Sequence, residues 1–469
     1  MKKLCEIVKS SSDILITGVE TDSRKIKKGN LFVAIKGFNV DHKLFINDAV
    51  ENGAAAVVVS EDVQVDVPVI KVDDVNKSLI EILDKYYDNV IDNFKFIGIT
   101  GTDGKTTSAT IISKIMGAAY MGTNGLVYKD YQKTLSNTTP EVCELYESLD
   151  ILRGLGAHEV VMEVSSEALL HGRVDNILFD VVSFTNITED HLNVHKTIEN
   201  YIDSKRKLFS LVKSDGFSIL NIDDKNYDYI RNGAHGNICS YGENTLADFQ
   251  IININCSNKG SSFDLKYKSA LYHIESPLLC IYNVYNLALS FITTLSLGMD
   301  DKEIIKRIAT INSIEGRGEV LNFGQDYTLI LDYAHTYNGI KNIISNMKEF
   351  SYNKIVVVTG AAGGREKEKR SKIGKYILDN VDLCIFTMDD PRKESVDSII
   401  DDMISDTDKK NYLRINDRND AICKALDIAE ENDLVLILGK GRDNYMAIGD
   451  KKVPYCDFEV INNYFQLDN

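Results

Sequence analysis

The residues best placed to do chemistry are a lysine and two threonines that directly follow a glycine-bounded turn. Residues 94–116 read FKFIGITGTDGKTTSATIISKIM. An apolar run over 94–99 leads into a loop carrying Gly101, Thr102 and Gly104, then Lys105-Thr106-Thr107 and a helix-like stretch over 108–116. In a strand–loop–helix unit, backbone N–H groups and a helix N-terminus converge on an anion. Lys105 would place a point charge on the outer phosphates of a nucleotide, and the Thr106 hydroxyl would reach magnesium. The spacing departs by one residue from G-x4-G-K-[ST], because five residues separate Gly98 from Gly104.

Two further residues sit where a parallel sheet would bring them to that loop. Glu163 lies in an apolar strand pattern over 159–164, an uncommon place for a carboxylate that is neither paired nor metal-bound. A second strand pattern over 179–185 runs into NITEDHLN at 186–193, which carries His191. Residues just past strand ends line the ligand crevice of an α/β sheet. Thr106, Glu163 and His191 are therefore candidate magnesium ligands; the alternative is a surface histidine and a salt-bridged glutamate.

The elements that must position these groups follow from pattern and punctuation. Over residues 1–92, strand-like runs fall at 31–35, 54–59 and 67–72, with Asp22-Ser23-Arg24 reading, taken alone, as a polar turn. Pro140 and Glu141 suit a helix start. Residues 201–209, YIDSKRKLF, read as a helix on which Lys205, Arg206 and Lys207 form a solvated face. Residues 247–275 alternate polar and apolar, as antiparallel strands do. From about residue 315, runs at 329–331, 354–359, 383–387 and 434–438 alternate with helical segments, predicting a doubly wound parallel sheet.

Composition bounds the rest. A chain of 469 residues exceeds what one core usually organises. Hydrophobic content of 44% and charged content of 26% are ordinary for a globular protein. A net charge of −17 argues against a nucleic-acid surface. The cysteines form no C-x-x-C pair, as in a reducing compartment. No run approaches the ~18 apolar residues of a membrane helix, and the N-terminus lacks an apolar core segment, so a cytoplasmic, non-membrane protein is expected.

Taken in order, TDSRKIKKGNLFVAIKG, GITGTDGKTT, NTTPE, MEVSS, TNITEDHLNVH, YIDSKRKLF, YNVYN, GRGE, DYAHT, GGREKEKR, DDPRKE and GKGRDNY resemble the Mur ligase family, and within it the UDP-N-acetylmuramoyl-tripeptide synthetases. The resemblance spans almost the entire chain. It implies an α/β fold of three domains: a small α/β uridine-nucleotide domain (1–92), a central phosphate-loop ATP domain (93–314), and a Rossmann-like doubly wound domain for the incoming amino acid (315–469). It implies an ATP- and magnesium-dependent ligase, a monomer, acting on UDP-N-acetylmuramoyl-L-alanyl-D-glutamate. The substrate carboxylate attacks ATP to give an acyl phosphate, and an amine then displaces phosphate.

Residue by residue, Glu163 and His191 match magnesium positions. Lys205 matches a lysine that becomes carboxylated and binds a second magnesium. Gly101, Thr102, Gly104, Lys105, Thr106 and Thr107 match the phosphate loop, Asn283 and Asn286 the adenine site, and Arg317 and Asp332 the nucleotide contacts of the C-terminal domain. Ser23 and Arg24 match the uridine site; Thr138, Thr139, Ser165 and Arg173 match positions gripping the muramoyl-peptide. Asp389, Asp390, Arg392, Gly439 and Asp443 match the amino-acid selector. There the family's D-N-P-R, whose arginine pairs with the distal carboxylate of meso-diaminopimelate, reads Asp389-Asp390-Pro391-Arg392. The arginine favours diaminopimelate. Asp443, one methylene shorter than the family's glutamate, leaves L-lysine or another amino acid as the alternative. Glu167, Tyr337, Asn338 and Asp103 are further departures, none at a phosphate or magnesium position. Competing readings are a folylpolyglutamate- or cyanophycin-type ligase, against which TDSR argues, and a binding protein without turnover.

Overall fold

The computed structural model describes residues 1–35, 42–188, 190, 192–365 and 367–467. The chain forms two compact units, one of residues 1–241 with 292–299 and one of 242–291 with 300–469.

The first unit contains two sheets. Val19–Glu20, Leu31–Val33, Ala56–Val59 and Val69–Lys71 pair in parallel in that order. A second sheet runs Tyr131–Lys133, Gly125–Tyr128, Ala119–Gly122, Glu159–Glu163, Lys95–Thr100, Phe179–Phe184, Val212–Asn221 and Asn237–Gly242. Lys95–Thr100 comes first in the chain among these, yet it lies between Glu159–Glu163 and Phe179–Phe184, parallel to both. Strand order therefore reverses at its C-terminal end, which is where an open α/β sheet leaves a crevice. All of Phe96–Thr100 is buried, so helix packing on both faces selects a continuous apolar run rather than an alternating one.

The helix that follows, Lys105–Met116, begins three residues earlier than the sequence pattern suggested. Gly104 takes a left-handed conformation (φ +82°) as its N-cap, so Lys105-Thr106-Thr107 enters the first turn instead of the loop. Gly117 (φ +70°) ends it.

The second unit has an antiparallel array, Phe249–Ser257, Gly260–Tyr267 and Ala270–Ser276, in which Ile251, Phe263, Leu265 and Ile274 turn to one buried side. Its larger sheet runs Glu319–Leu321, Thr328–Asp332, Leu434–Leu438, Ile355–Thr359, Leu383–Phe386 and Tyr412–Arg414. Ile330, Val357, Cys384 and Leu436 pack with Ile343, Ile377 and Ile400 on one face. Leu331, Val358, Ile385 and Ile437 pack with Ile422 and Ile461 on the other. Four strands of this sheet matched the expected runs. The two edge strands did not, being three residues long and partly exposed, with too little apolar signal to read. Among the described residues, no helix is long and apolar enough to cross a membrane.

Candidate active site

The phosphate loop is a preformed cradle. Gly101 has φ +149°, and a Cβ there would stand 1.9 Å from the Thr185 hydroxyl oxygen, so the close approach requires glycine. Thr185 and Asn186, just past Phe179–Phe184, hold the loop. The Thr102 N–H donates to the Asn186 carbonyl (2.8 Å), the Asp103 N–H to Asn186 Oδ1 (3.0 Å), and the Thr185 hydroxyl to the Asp103 carbonyl (2.7 Å). Lys105 Nζ folds onto the Gly101 and Thr102 carbonyls (2.9 and 2.8 Å).

Glu163 closes one side of this cradle. It is fully buried, and its partners are neutral donors: the Tyr120 hydroxyl (2.5 Å), the Thr106 hydroxyl (2.9 Å), and the Thr123 N–H (2.9 Å) and hydroxyl (3.3 Å). A buried carboxylate served by neutral donors suits a cation. Among the described residues no group of three or more His, Cys, Asp or Glu side chains is gathered. Magnesium that keeps waters and phosphate oxygens needs few protein ligands. His191, the other expected ligand, lies outside the described residues.

Lys205 closes the other side. The sequence pattern placed it on a solvated helix face; instead it is 1% exposed. Its helix, Ile198–Arg206, is capped by Thr197 and directs Nζ to the Gly101 carbonyl (2.6 Å), with the Tyr201 ring 4.5 Å away. Burial, with the Lys105 charge adding to it, pushes this amine well below the ordinary lysine range. The charge pattern could not reveal this, because the burial comes from the loop packed against the helix.

Thr139 joins the expected peptide-gripping residues to Glu163. Its hydroxyl donates to the Glu163 carbonyl (2.8 Å) and accepts from the Ser165 N–H (3.0 Å), and its own carbonyl accepts from Arg173 (3.2 Å). Arg173 also pairs with Glu141, and its buried Nε has no hydrogen-bond partner. Thr138 meets Thr123 at 3.2 Å. Ser23 is buried in a turn of the four-stranded domain, whereas Arg24 points to solvent, held bidentate by Asp22 (2.9 and 2.8 Å).

In the second unit, Asn283 and Asn286 share the first turns of Ile281–Ser296, Asn286 donating to Asn283 Oδ1 (3.1 Å). Asp332 ends its strand and accepts from the Gly318 and Ala334 N–H groups; burial raises its carboxyl above the usual range. Arg317 stacks over Tyr333 at 4.7 Å. Of the selector residues, Asp390 (φ +46°) and Arg392 (φ +51°) are both left-handed. Arg392 donates one N–H to the Gly363 carbonyl (3.1 Å), and Asp390 and Asp443 both engage Lys440 (2.9 and 3.2 Å). Burial alone would depress Lys440, but Asp443, Asp389 and Asp390 together hold it above the ordinary value. Asp389 is pushed up by burial, against the pull of Arg418 and Lys440. Gly439 (φ +115°) lies against Asp389, where a Cβ would stand 2.3 Å from Oδ2.

Sequence reasoning missed Tyr120, Thr123, Thr185, Asn186, Lys440 and Arg418. Lys440, inside the Gly-Lys-Gly run, and Thr185 and Asn186, at the end of a strand pattern, carried a local signal. The others are single polar residues whose partners lie far along the chain.

Three family models cover most of the chain: the Mur ligase family, catalytic domain (residues 15–88), the Mur ligase middle domain (99–294), and the Mur ligase, glutamate ligase domain (316–441). The UDP-N-acetylmuramoyl-L-alanyl-D-glutamate--2,6-diaminopimelate ligase of Bacillus cereus is 36% identical, over 95% of this chain and 93% of its own. A solved structure of a ligase of that name superposes with a TM-score of 0.68 at 26% identity, covering 98% of this chain and 97% of that one. The MurF ligase from Thermotoga maritima, solved in complex with ADP, shares the fold at 18% identity and a TM-score of 0.65, over 97% of this chain and 99% of that one.

Proposed function

This chain belongs to the Mur ligase family, and from that premise we propose that it is an ATP-dependent ligase of peptidoglycan precursor synthesis, joining meso-diaminopimelate to UDP-N-acetylmuramoyl-L-alanyl-D-glutamate. The observation that carries the reading is the cradle around Gly101, with Lys105, buried Glu163 and buried Lys205 converging on it. Phosphoryl transfer demands positioning and charge neutralisation more than covalent help from the protein. Backbone N–H groups and Lys105 hold the β- and γ-phosphates. Thr106, Glu163 and His191 would hold magnesium, which when bound would supply charge neutralisation for the transferring group. The substrate carboxylate displaces ADP from the γ-phosphoryl, and the amine of the incoming amino acid then expels phosphate from the acyl phosphate.

Lys205 is the residue proposed to carry a carboxyl group. Burial, with the Lys105 charge adding to it, lowers its amine well below the ordinary lysine range and so favours the neutral form, which adds carbon dioxide with loss of a proton. Thr138, Thr139, Ser165 and Arg173 hold the peptide, Ser23 and Arg24 the uridine nucleotide, and Asn283, Asn286, Arg317 and Asp332 the ATP. Arg392 offers its unengaged guanidinium donors to a distal carboxylate, which supports diaminopimelate. Residues 1–92 form the uridine-nucleotide domain, 93–314 the central ATP domain, and 315–469 the domain for the incoming amino acid, which also lends Arg317 and Asp332 to the nucleotide, in a monomer working in the cytoplasm.

The test is product analysis by mass spectrometry after incubation with ATP, the UDP-dipeptide and meso-diaminopimelate. A UDP-tripeptide formed one-to-one with ADP supports the reading. ADP without tripeptide, or glutamate added to a folate, overturns it.

A further inference from the structure

Two loops of the second unit meet without any sequence proximity. One, residues 316–319, carries Arg317; the other, residues 439–443, belongs to the amino-acid selector. Glu319 is 4% exposed and folds back on its own loop, accepting the Gly316 N–H at 2.8 Å. The same carboxylate takes both prongs of Arg442, at 2.9 Å from Nε and 2.5 Å from Nη2. The Arg442 Cζ lies over the Phe458 ring, 3.4 Å from its centroid. A two-pronged bond to Glu319 with a ring against the guanidinium leaves Arg442 little freedom to reorient.

The backbones are equally close. A Cβ on Gly316 (φ +64°) would stand 2.8 Å from the Arg442 nitrogen, and one on Gly441 (φ +52°) 3.0 Å from the Gly316 carbonyl oxygen. Asp332 adds a third tie: its side chain accepts the Gly318 N–H while its carbonyl accepts the Gly439 N–H at 3.1 Å. A displacement of either loop must therefore move the other or break a charge pair whose carboxylate is buried.

We propose that Arg442 is a positioning residue that couples the two ligands, holding the Arg317 loop and the amino-acid selector as one body through Glu319, so that nucleotide and amino acid each tighten the binding of the other. The inference rests on the proposed ligase reading, which assigns Arg317 to the nucleotide and residues 439–443 to the amino acid. By linkage the coupling is reciprocal, the same factor for either ligand. Loosening such an element changes coupling by about 2- to 30-fold.

The experiment is titration calorimetry on the full chain, with UDP-N-acetylmuramoyl-L-alanyl-D-glutamate present throughout. The Kd of meso-diaminopimelate is measured with and without β,γ-methylene-ATP, and the Kd of the analogue with and without the amino acid. For the wild type, both ratios are expected to exceed unity and to agree. Arg442→Met, which keeps an unbranched stem and removes the fork, should bring both ratios toward one. Arg442→Lys, which keeps the charge, should retain part of the coupling even if Arg442→Met folds poorly. Ratios unchanged in Arg442→Lys and Arg442→Met, with only Tm lowered, would mark a structural residue and overturn the inference. A wild-type ratio of one in an enzyme that makes tripeptide overturns the inference alone. A wild type that binds neither ligand and makes no tripeptide overturns the ligase reading, and this inference with it.

Discussion

Replacing Glu163 with glutamine separates the cation-binding account from a purely structural one. The substitution preserves volume and removes one negative charge from a fully buried position. Oε1 can keep the Tyr120 hydroxyl and Thr123 N–H, and the new amide nitrogen can donate to the Thr106 and Thr123 hydroxyls, which now accept. The hydrogen-bond count survives, so the net change from these bonds is about 1 kcal/mol or less. Removing a buried charge without a basic partner is itself favourable. Tm should therefore fall by no more than about 4 °C, or rise. Turnover should behave differently. Loss of a group that stabilises developing charge typically costs about 10²–10³ in kcat, and the magnesium-dependent rise in Tm expected of the wild type with ATP present should vanish. The assays are phosphate release and thermal melting with and without magnesium. A Glu163→Gln enzyme within about threefold of wild-type kcat, or with its magnesium response intact, would refute the reasoning.

Lys205→Ala should lose most activity, and added bicarbonate should not restore it; near-normal phosphate release would remove the carboxylated-lysine proposal. Gly101→Ala should weaken ATP binding by at least about tenfold, roughly 1.4 kcal/mol, because its Cβ would meet the Thr185 hydroxyl oxygen at 1.9 Å; an unchanged Kd by calorimetry would contradict the preformed cradle. The Arg370 hydrogen bond and the Gly364 N–H hold the Glu394 carboxyl down at about 2, from an ordinary value of 4.5. A depressed acid stabilises the fold above its ordinary pKa and loses that contribution as pH falls toward the folded value. The Tm gap between wild type and Glu394→Gln should accordingly be constant above about pH 5 and narrow toward pH 2. A gap that stays constant would show that the pair contributes nothing.

The phosphate loop and its strand were legible because strand, glycine turn and Lys-Thr-Thr are contiguous and each follows from local geometry. Glu163 was legible as an anomaly, a carboxylate in an apolar run. Leu434–Leu438 was read at its observed ends because both of its faces are covered. Lys205 was misread as solvated on pattern alone, since three consecutive basic residues look alike until the Gly101 loop buries one of them. Arg442 and Glu319, 123 residues apart, gave no sequence signal of their pairing. His191 lies outside the described residues, so its expected place beside Glu163 stays a proposal.

The central claim is tested most directly by amino-acid-dependent phosphate release from ATP with UDP-N-acetylmuramoyl-L-alanyl-D-glutamate. Meso-diaminopimelate, L-lysine and L-ornithine would be supplied separately to wild type and to Arg392→Ala. The account predicts strong preference for diaminopimelate in the wild type and loss of that preference in the variant, since the Gly363 carbonyl engages only one guanidinium donor of Arg392. Equal or better turnover with L-lysine would contradict the selector reading. No turnover with any of the three would contradict the ligase itself.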